Sequence, residues 1–244
     1  MVESQEGQRE VSRVVERTRK EKMKDHLVIE ENLTPDDING IYYIIDQFGN
    51  WVDGSVSYSG TDDIKKNLQI QFVDQYAYQK LSDIVYDRMD TYKRFHNFTI
   101  AKNSNRPLIT RTPTGGYYKP HHDVAACGDF STTIFLNDDY EGGELCLWNN
   151  DEEIKIKPKM GKSVTYKTGT PHRVNTVTEG HRDAVVFWTF SLITDPFDMM
   201  MYQGLQEVAD ILEFACHETL DDAQRDPAFI VTTLKESLLR KATR

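Results

Sequence analysis

The chain has 244 residues, of which 39% are hydrophobic and 28% charged, and its formal net charge is −10. This composition supports a packed core and excludes bulk disorder, while the acidic balance argues against general nucleic-acid binding. No apolar run approaches the roughly 18 residues of a membrane span, and the acidic first residues do not resemble a secretory signal. The three cysteines form no CxxC pair and predict free thiols. We therefore expect a cytoplasmic protein without membrane contacts.

Residues 1–25 are dense in charges of both signs, and we predict that they form a flexible N-terminal arm. A helix should start at Thr34-Pro35, because threonine caps helices and proline suits the first helical turn. Helical periodicity returns over about 74–93. The segment 34–95 is therefore predicted to be helical support for the domain.

The pattern changes from about 98 to 193, where short runs of β-branched and aromatic residues alternate with turn residues. Several short strands at fairly regular spacing predict a β-sandwich or β-barrel. Helical periodicity reappears after Pro196, which predicts a C-terminal helical extension over 196–244. The sequence thus predicts an α+β protein with a mainly β core, and a single domain over 26–195.

The triplet His121-His122-Asp123 is the first candidate for chemistry. In an extended strand, alternate side chains point to the same face. His121 and Asp123 would then converge, and His122 would point away. An imidazole and a carboxylate on one face supply two ligands for a metal ion, but such a triplet alone is more often a surface pair.

A third ligand is needed, and His172 and His181 are the candidates within the β region. His172 follows a Gly-Thr-Pro turn and opens a short run of strand-forming residues, about four strands after Asp123. His181 precedes Arg182 in a predicted turn, where a solvated histidine is expected. Three further histidines lie outside the β region: His26, His96 and His217.

Two histidines and one aspartate on a β scaffold are the facial triad expected for non-haem Fe(II), which leaves coordination positions open. A zinc hydrolase with three protein ligands stays open on geometry alone. Arg182 argues for the oxygenase chemistry, because it enters an apolar strand and needs an anionic partner there. That partner is either a protein acid, Asp183 or Glu144, or a carboxylate of a bound co-substrate.

Beyond these residues, the sequence as a whole resembles the Fe(II)/2-oxoglutarate-dependent dioxygenases, and within them the PKHD-type hydroxylases related to prolyl 4-hydroxylases. The resemblance covers about 27–215 and depends on several motifs in the right order. They are Gly115-x-x-Tyr118-x-x-His121-x-Asp123, the run Phe130–Asn137, Tyr140-Glu141-Gly142-Gly143-Glu144, His172-Arg173-Val174, Gly180-x-Arg182 and Phe187-Trp188.

The resemblance implies a double-stranded β-helix, or jelly-roll, core of the cupin type. It implies that His121, Asp123 and His172 hold Fe(II), and that Arg182 pairs with the far carboxylate of 2-oxoglutarate. O2 is the second co-substrate, and ascorbate is a candidate auxiliary reductant. Three further residues are expected around the co-substrate: Tyr118, Val174 and Trp188.

Two departures from the family bear on the co-substrate pocket. Thr112 and Phe135 stand where relatives carry a tyrosine. Arg182 is therefore expected to contribute a larger share of the binding of 2-oxoglutarate. The resemblance implies C–H hydroxylation of a prolyl or other peptidyl substrate, or of a small molecule, with succinate and CO2 as co-products. The alternatives are a non-catalytic, cupin-like protein that binds metal or a small acid, and a nucleic-acid base oxidase, against which the net charge argues. The sequence does not determine the oligomeric state.

Overall fold

The structure is a computed structural model that describes residues 26–29, 32–57, 63–149, 152–215 and 227–243. The predicted arm over 1–25 lies outside the described residues. The chain divides into two compact units, one spanning His26–Phe190 and one that includes Ser191–Arg244. The predicted domain boundary at 195 lies close to this division. In the described ranges, every helix is too short or too polar to cross a bilayer.

Five α-helices are described, and two of them belong to the second unit. They are α1 (Pro35–Phe48), α2 (Gln75–Asp90), α3 (Lys93–Thr99), α4 (Pro196–Ala215) and α5 (Pro227–Ala242). The start of α1 follows the prediction, because the Thr34 hydroxyl accepts a hydrogen bond from the Asp37 backbone N–H at 3.2 Å. The Asp37 carboxylate in turn accepts one from the Thr34 backbone N–H at 2.9 Å. This reciprocal capping box satisfies two backbone donors that the helix leaves open.

Fifteen strands lie within the described residues. They are β1 (His26–Ile29), β2 (Gly49–Asp53), β3 (Lys65–Lys66), β4 (Leu68–Phe72), β5 (Ala101–Ser104), β6 (Leu108–Pro113), β7 (Tyr117–His121), β8 (Phe130–Phe135), β9 (Glu141–Gly142), β10 (Leu145–Asn149), β11 (Glu152–Ile156), β12 (Ser163–Lys167), β13 (His172–Val174), β14 (Val177–Glu179) and β15 (His181–Ser191).

The prediction that 34–95 is helical support is wrong in part. Three strands, β2 to β4, lie between α1 and α2, and the predicted helix over 74–93 ends at Asp90 before a separate α3 begins. The reason is that strand formation depends on partners distant in sequence. β4 pairs with β6, and β3 pairs with β7. This segment therefore forms an edge of each of the two sheets of the β core.

Two sheets form the β core of the first unit. Among the described strands, the larger has the order β1-β12-β8-β15-β6-β4-β2, with β5 also paired to β15, and the smaller has the order β11-β10-β13-β7-β3. One face of the larger sheet packs on α1 and α2 through residues such as Ile134, Val185 and Phe187. The other face contributes Phe135 and Tyr166 to a second cluster, in which they meet Leu145 and Leu147 of the smaller sheet. Functional side chains of this fold are therefore expected in the space between the two sheets.

Candidate metal and co-substrate site

His121, Asp123 and His172 meet at one point of the inter-sheet space. His121 ends β7, Asp123 lies two residues further on, and His172 begins β13. One ligand atom from each residue lies within 4.8 Å of those of the other two. His121 Nε2 is 3.8 Å from Asp123 Oδ1, and His172 Nε2 is 3.9 Å from Asp123 Oδ2. This is the spacing of three atoms around a single cation that they could share.

Strand register explains why side chains distant in sequence share this face. In the β7–β13 pair, His121 lies opposite His172 and Tyr118 lies opposite Val174, with a register shift between the two pairs. The shift inserts one extra residue on β7, so Tyr118 and His121 point to the same face although they are three residues apart. The Tyr118 ring stacks on the His121 ring at a centroid distance of 3.6 Å. Tyr118 and Val174 therefore line the space beside the two histidines.

Backbone carbonyl groups set the orientation of both imidazoles. His121 Nδ1 is 2.8 Å from the Lys119 carbonyl oxygen, and His172 Nδ1 is 2.9 Å from that of Thr170. A carbonyl oxygen can only accept a hydrogen bond, so Nδ1 carries the proton in each ring. Each Nε2 then directs an unprotonated lone pair toward Asp123, which is the state that a metal ligand requires.

Burial keeps these imidazoles neutral. It lowers the pKa of His121 to about 4, and the neighbouring His172 contributes to the same direction. Burial also lowers the pKa of His172, which Asp123 partly counteracts. Two neutral imidazoles and one carboxylate form a donor set that fits Fe(II) and leaves room for further ligands.

Asp123 is supported from the larger sheet. Trp188 Nε1 donates a hydrogen bond to Asp123 Oδ2 at 2.8 Å, and the Ser131 hydroxyl donates one to the same oxygen at 2.9 Å. Trp188 and Ser131 are direct partners in the β15–β8 pair, which places both side chains on the inner face. The two donors orient the carboxylate and leave Oδ1 available to a metal ion. Trp188 was expected near the co-substrate, and its observed contact is with the candidate ligand.

Arg182 lies on the same inner face, six residues before Trp188 on β15. The residue is 3% exposed, and its guanidinium lies 4.8 Å from the centre of the Phe135 ring. Its Nε has no hydrogen-bond partner within the described residues. The two protein acids proposed as partners are engaged elsewhere, since Asp183 accepts from Arg111 at 2.6 Å and 2.8 Å, and Glu144 accepts from Asn175 at 2.9 Å. This leaves the guanidinium available to a bound anion.

Two tyrosines lie beside Arg182. Burial and the Asp123 carboxylate raise the pKa of Tyr166, and the Arg182 guanidinium lowers it. The Tyr166 hydroxyl therefore lies within electrostatic range of both the triad and Arg182. Among the residues that the structure describes, none forms a hydrogen bond of good geometry with the Tyr140 hydroxyl, although Arg182 is close enough to counteract the rise that burial causes in the pKa of Tyr140. Gly143, at φ +66°, leaves room for the Tyr140 ring, since a Cβ there would lie 2.9 Å from it. Tyr140 thus supplies a hydroxyl near Arg182 that Phe135 cannot.

The structure places the predicted site residues around one space and leaves out His181, the other candidate for the third ligand within the β region. His181 lies on the opposite face of β15, with Nε2 3.6 Å from Asp183 Oδ2, and His122 is exposed. Sequence reasoning missed four residues around the site: Lys65, Ser131, Tyr140 and Tyr166. The alternation of β8 and β15 could have identified Ser131, because it shares a face with Trp188, but only after the strands had been paired.

Comparisons with known proteins agree with this geometry. Residues 107–190 match the sequence profile of the 2OG-Fe(II) oxygenase superfamily. A PKHD-type hydroxylase of Sphingopyxis alaskensis is 33% identical over 171 residues, which cover 66% of this chain and 77% of that protein. A PKHD-type hydroxylase of Maricaulis maris is 37% identical over 153 residues, covering 60% and 67% of the two chains. The chain belongs to the PKHD-type hydroxylases.

Solved structures support the fold of this PKHD-type hydroxylase. A 2OG-Fe(II) oxygenase family protein from Burkholderia pseudomallei superposes with a TM-score of 0.57 at 15% identity, covering 71% of this chain and 89% of that one. A prolyl hydroxylase from Trichoplax adhaerens, in complex with a peptide fragment of hypoxia inducible factor, gives 0.55 at 16% identity and covers 78% and 93%. These likenesses confirm the predicted double-stranded β-helix. With the family established, the chain is a 2-oxoglutarate- and Fe(II)-dependent oxygenase.

Proposed function

We propose that His121, Asp123 and His172 hold the Fe(II) of this oxygenase and that Arg182 binds the far carboxylate of 2-oxoglutarate. The observation that carries the proposal is the convergence of the three ligand atoms within 4.8 Å of one another. The buried Arg182 Nε, which has no hydrogen-bond partner among the described side chains and backbone, adds to it, because a guanidinium suits a carboxylate bidentately. The Tyr140 hydroxyl lies near Arg182 and would give this carboxylate a second donor.

Each residue then has a defined task. When bound, Fe(II), 2-oxoglutarate and O2 together supply the oxidising chemistry that converts a substrate C–H bond to C–OH and releases succinate and CO2. Trp188 and Ser131 orient Asp123, and the carbonyls behind His121 and His172 hold the imidazoles in the binding tautomer. The protein's contribution is positioning and the exclusion of water from the space between the sheets.

The substrate class is proposed from the family and from the side chains beside the histidines. Tyr118 and Val174 offer an apolar wall beside the histidines, which suits a ring or an aliphatic chain. The Trichoplax relative holds a peptide, and we propose a peptidyl, prolyl-like or small-molecule substrate for this chain. Ascorbate is proposed as an auxiliary reductant, and the free thiols of Cys127 and Cys146 fit a reducing, cytoplasmic setting.

Substitution of the proposed ligands tests this function. Asp123→Ala and His172→Ala should abolish both Fe(II) binding, measured by equilibrium dialysis, and succinate formation from 2-oxoglutarate. His122→Ala and His181→Ala are matched controls, because these imidazoles lie near the triad in sequence but point elsewhere. Full metal binding by Asp123→Ala would overturn the ligand assignment.

The cupin-like alternative predicts a different result. A protein that only binds metal or a small acid would take up Fe(II) but would yield no succinate from 2-oxoglutarate, with or without ascorbate and candidate substrates. The oxygenase should produce succinate and CO2 in equal amounts. Arg182→Met should lower succinate formation by the oxygenase, whereas a binding protein would form no succinate with or without this residue.

A further inference from the structure

The space between the sheets contains a second buried cation, Lys65, to which the proposed mechanism gives no role. Lys65 lies on β3, the edge strand of the smaller sheet, directly opposite Tyr118 on β7. Partners in register project from the same face, and this is the face that carries His121 and His172. The residue is 9% exposed, and its Nζ is 5.3 Å from the centre of the Tyr118 ring that stacks on His121. The ammonium group therefore lies beside the triad.

Ser57 holds this ammonium group in position. Its hydroxyl oxygen accepts a hydrogen bond from Lys65 Nζ at 2.8 Å and another from Gln69 Nε2. Gln69 is fixed in turn by β4, where it lies opposite Thr110 of β6, and is 3% exposed. In the described part of the chain, Ser57 provides the only hydrogen bond to the Lys65 ammonium. A lysine has three donor hydrogens, so two are left for a ligand.

The charge of Lys65 is poorly compensated by its protein neighbours. A buried ammonium with a neutral hydroxyl as its partner is unfavourable unless an anion completes the site. Burial lowers the pKa of Lys65, and Asp53 and Asp123 only partly oppose this. The Asp123 carboxylate is already engaged by Trp188 and Ser131. The next residue, Lys66, points outward and is exposed, so the burial of Lys65 is specific to its side of the strand.

Lys65 and Arg182 have different surroundings. Arg182 contacts Phe135 and lies near Tyr140, whereas Lys65 contacts Ser57 and Tyr118. One dicarboxylic co-substrate that pairs with Arg182 and chelates the metal has no carboxylate left for a second cation. A further anion beside the triad is then expected to belong to the molecule that is oxidised.

We propose that Lys65 binds a carboxylate of the primary substrate and so directs a C–H bond of that substrate toward the triad. The substrate class is a carboxylic acid, namely a free amino acid or a peptide whose terminal carboxylate lies near the oxidised residue. A single ammonium matches the single charge of a carboxylate, and hydrogen bonds between two charged groups are the stronger kind. This inference rests on the proposed function, since it takes the triad to hold the metal.

The test uses trifluoroacetate as the probe and protein loaded with Mn(II) and saturating 2-oxoglutarate, without O2. Bound near Mn(II), the probe should show a saturable increase in its ¹⁹F relaxation rate. Lys65→Met should weaken trifluoroacetate binding about tenfold, since hydrogen bonds to charged groups are the stronger ones. Lys65→Arg should retain binding, and the neighbouring Lys66→Met is the matched control. The affinity for 2-oxoglutarate should change less than about twofold in all of them, because Arg182 holds that carboxylate.

Several results would overturn the assignment of Lys65. These are the absence of saturable relaxation in the wild type, equal affinity in Lys65→Met, or a loss of 2-oxoglutarate affinity in its place. If Lys65→Met does not fold by circular dichroism, Lys65→Gln removes the charge and keeps a polar end for Ser57. The ¹⁹F chemical shift reports probe binding without any metal. Failure of Mn(II) or 2-oxoglutarate to bind therefore counts against the proposed function separately from the Lys65 site.

Discussion

Replacing Trp188 by phenylalanine tests how strongly the support of Asp123 contributes to metal binding. The change keeps most of the aromatic ring and removes the Nε1 donor, which lies 2.8 Å from Asp123 Oδ2. Hydrogen bonds to charged groups contribute about 1.5–3 kcal/mol, and loss of a group that orients a metal ligand typically weakens binding 10–100-fold. Ser131 still donates to the same oxygen at 2.9 Å. We therefore expect the lower end of this range, about tenfold weaker Mn(II) binding.

The assay is a titration with Mn(II) in which free metal is measured by electron paramagnetic resonance. Trp148→Phe is the matched control, since that ring contacts the Arg173 guanidinium at 5.3 Å and not the triad. A Trp188→Phe/Ser131→Ala double variant should weaken binding about 100-fold, because the carboxylate loses both donors. A Trp188→Phe affinity within twofold of the wild type, or an equal loss in Trp148→Phe, would show that the Nε1 donor does not support metal binding by Asp123.

Three further predictions follow from buried charges. Arg182→Met should raise the Michaelis constant for 2-oxoglutarate at least about tenfold in a succinate assay, because a buried carboxylate would lose its cation; an unchanged constant would contradict the pairing. Asp183→Asn should lower the free energy of unfolding in urea by about 3 kcal/mol, because Arg111 would be left without its buried partner. Asp63→Asn, in an exposed ion pair with Lys119, is its control and should leave the midpoint unchanged. Burial lowers the pKa of His121 to about 4 in the folded protein. In the unfolded chain this imidazole takes up a proton near pH 6.5, whereas in the folded protein it stays neutral until about pH 4. Metal-free protein should thus lose stability, relative to His121→Asn, as the pH falls from about 6.5 to about 4; parallel pH profiles of the two proteins would argue against this burial.

Local patterns predicted much of the fold. The start of α1 at Thr34-Pro35 depends on capping within one turn, and the strands after Ala101 follow from runs of β-branched and aromatic residues. The strands β2, β3 and β4, within 34–95, were not predicted. β3 has two residues and β4 has five, and both are stabilised by pairing with β7 and β6, far along the chain. A short strand of this kind carries little signal of its own.

The candidate site divides in a similar way. Residue types and spacing identified His121, Asp123, His172 and Arg182. The signals were a His-x-Asp spacing that suits a metal ion and an arginine at the start of an apolar strand. Lys65 and Tyr166 carry no such signal, since a lysine or a tyrosine in a strand is ordinary until its face is known. The register shift in β7 decides that Tyr118 and His121 share a face, and no alternation rule applied to the sequence would show it.

The sequence alone identified the side chains that could bind a metal ion and a dicarboxylate, and it identified the strand-rich segment after Ala101 that carries them. Those properties are local, because they depend on residue chemistry and on periods of a few residues. The tertiary structure was needed to show that Lys65 lies beside the triad, that Asp183 pairs with Arg111, and that Trp188 supports Asp123. These relations depend on strand pairing and register, and a shift of a single residue would reverse every face.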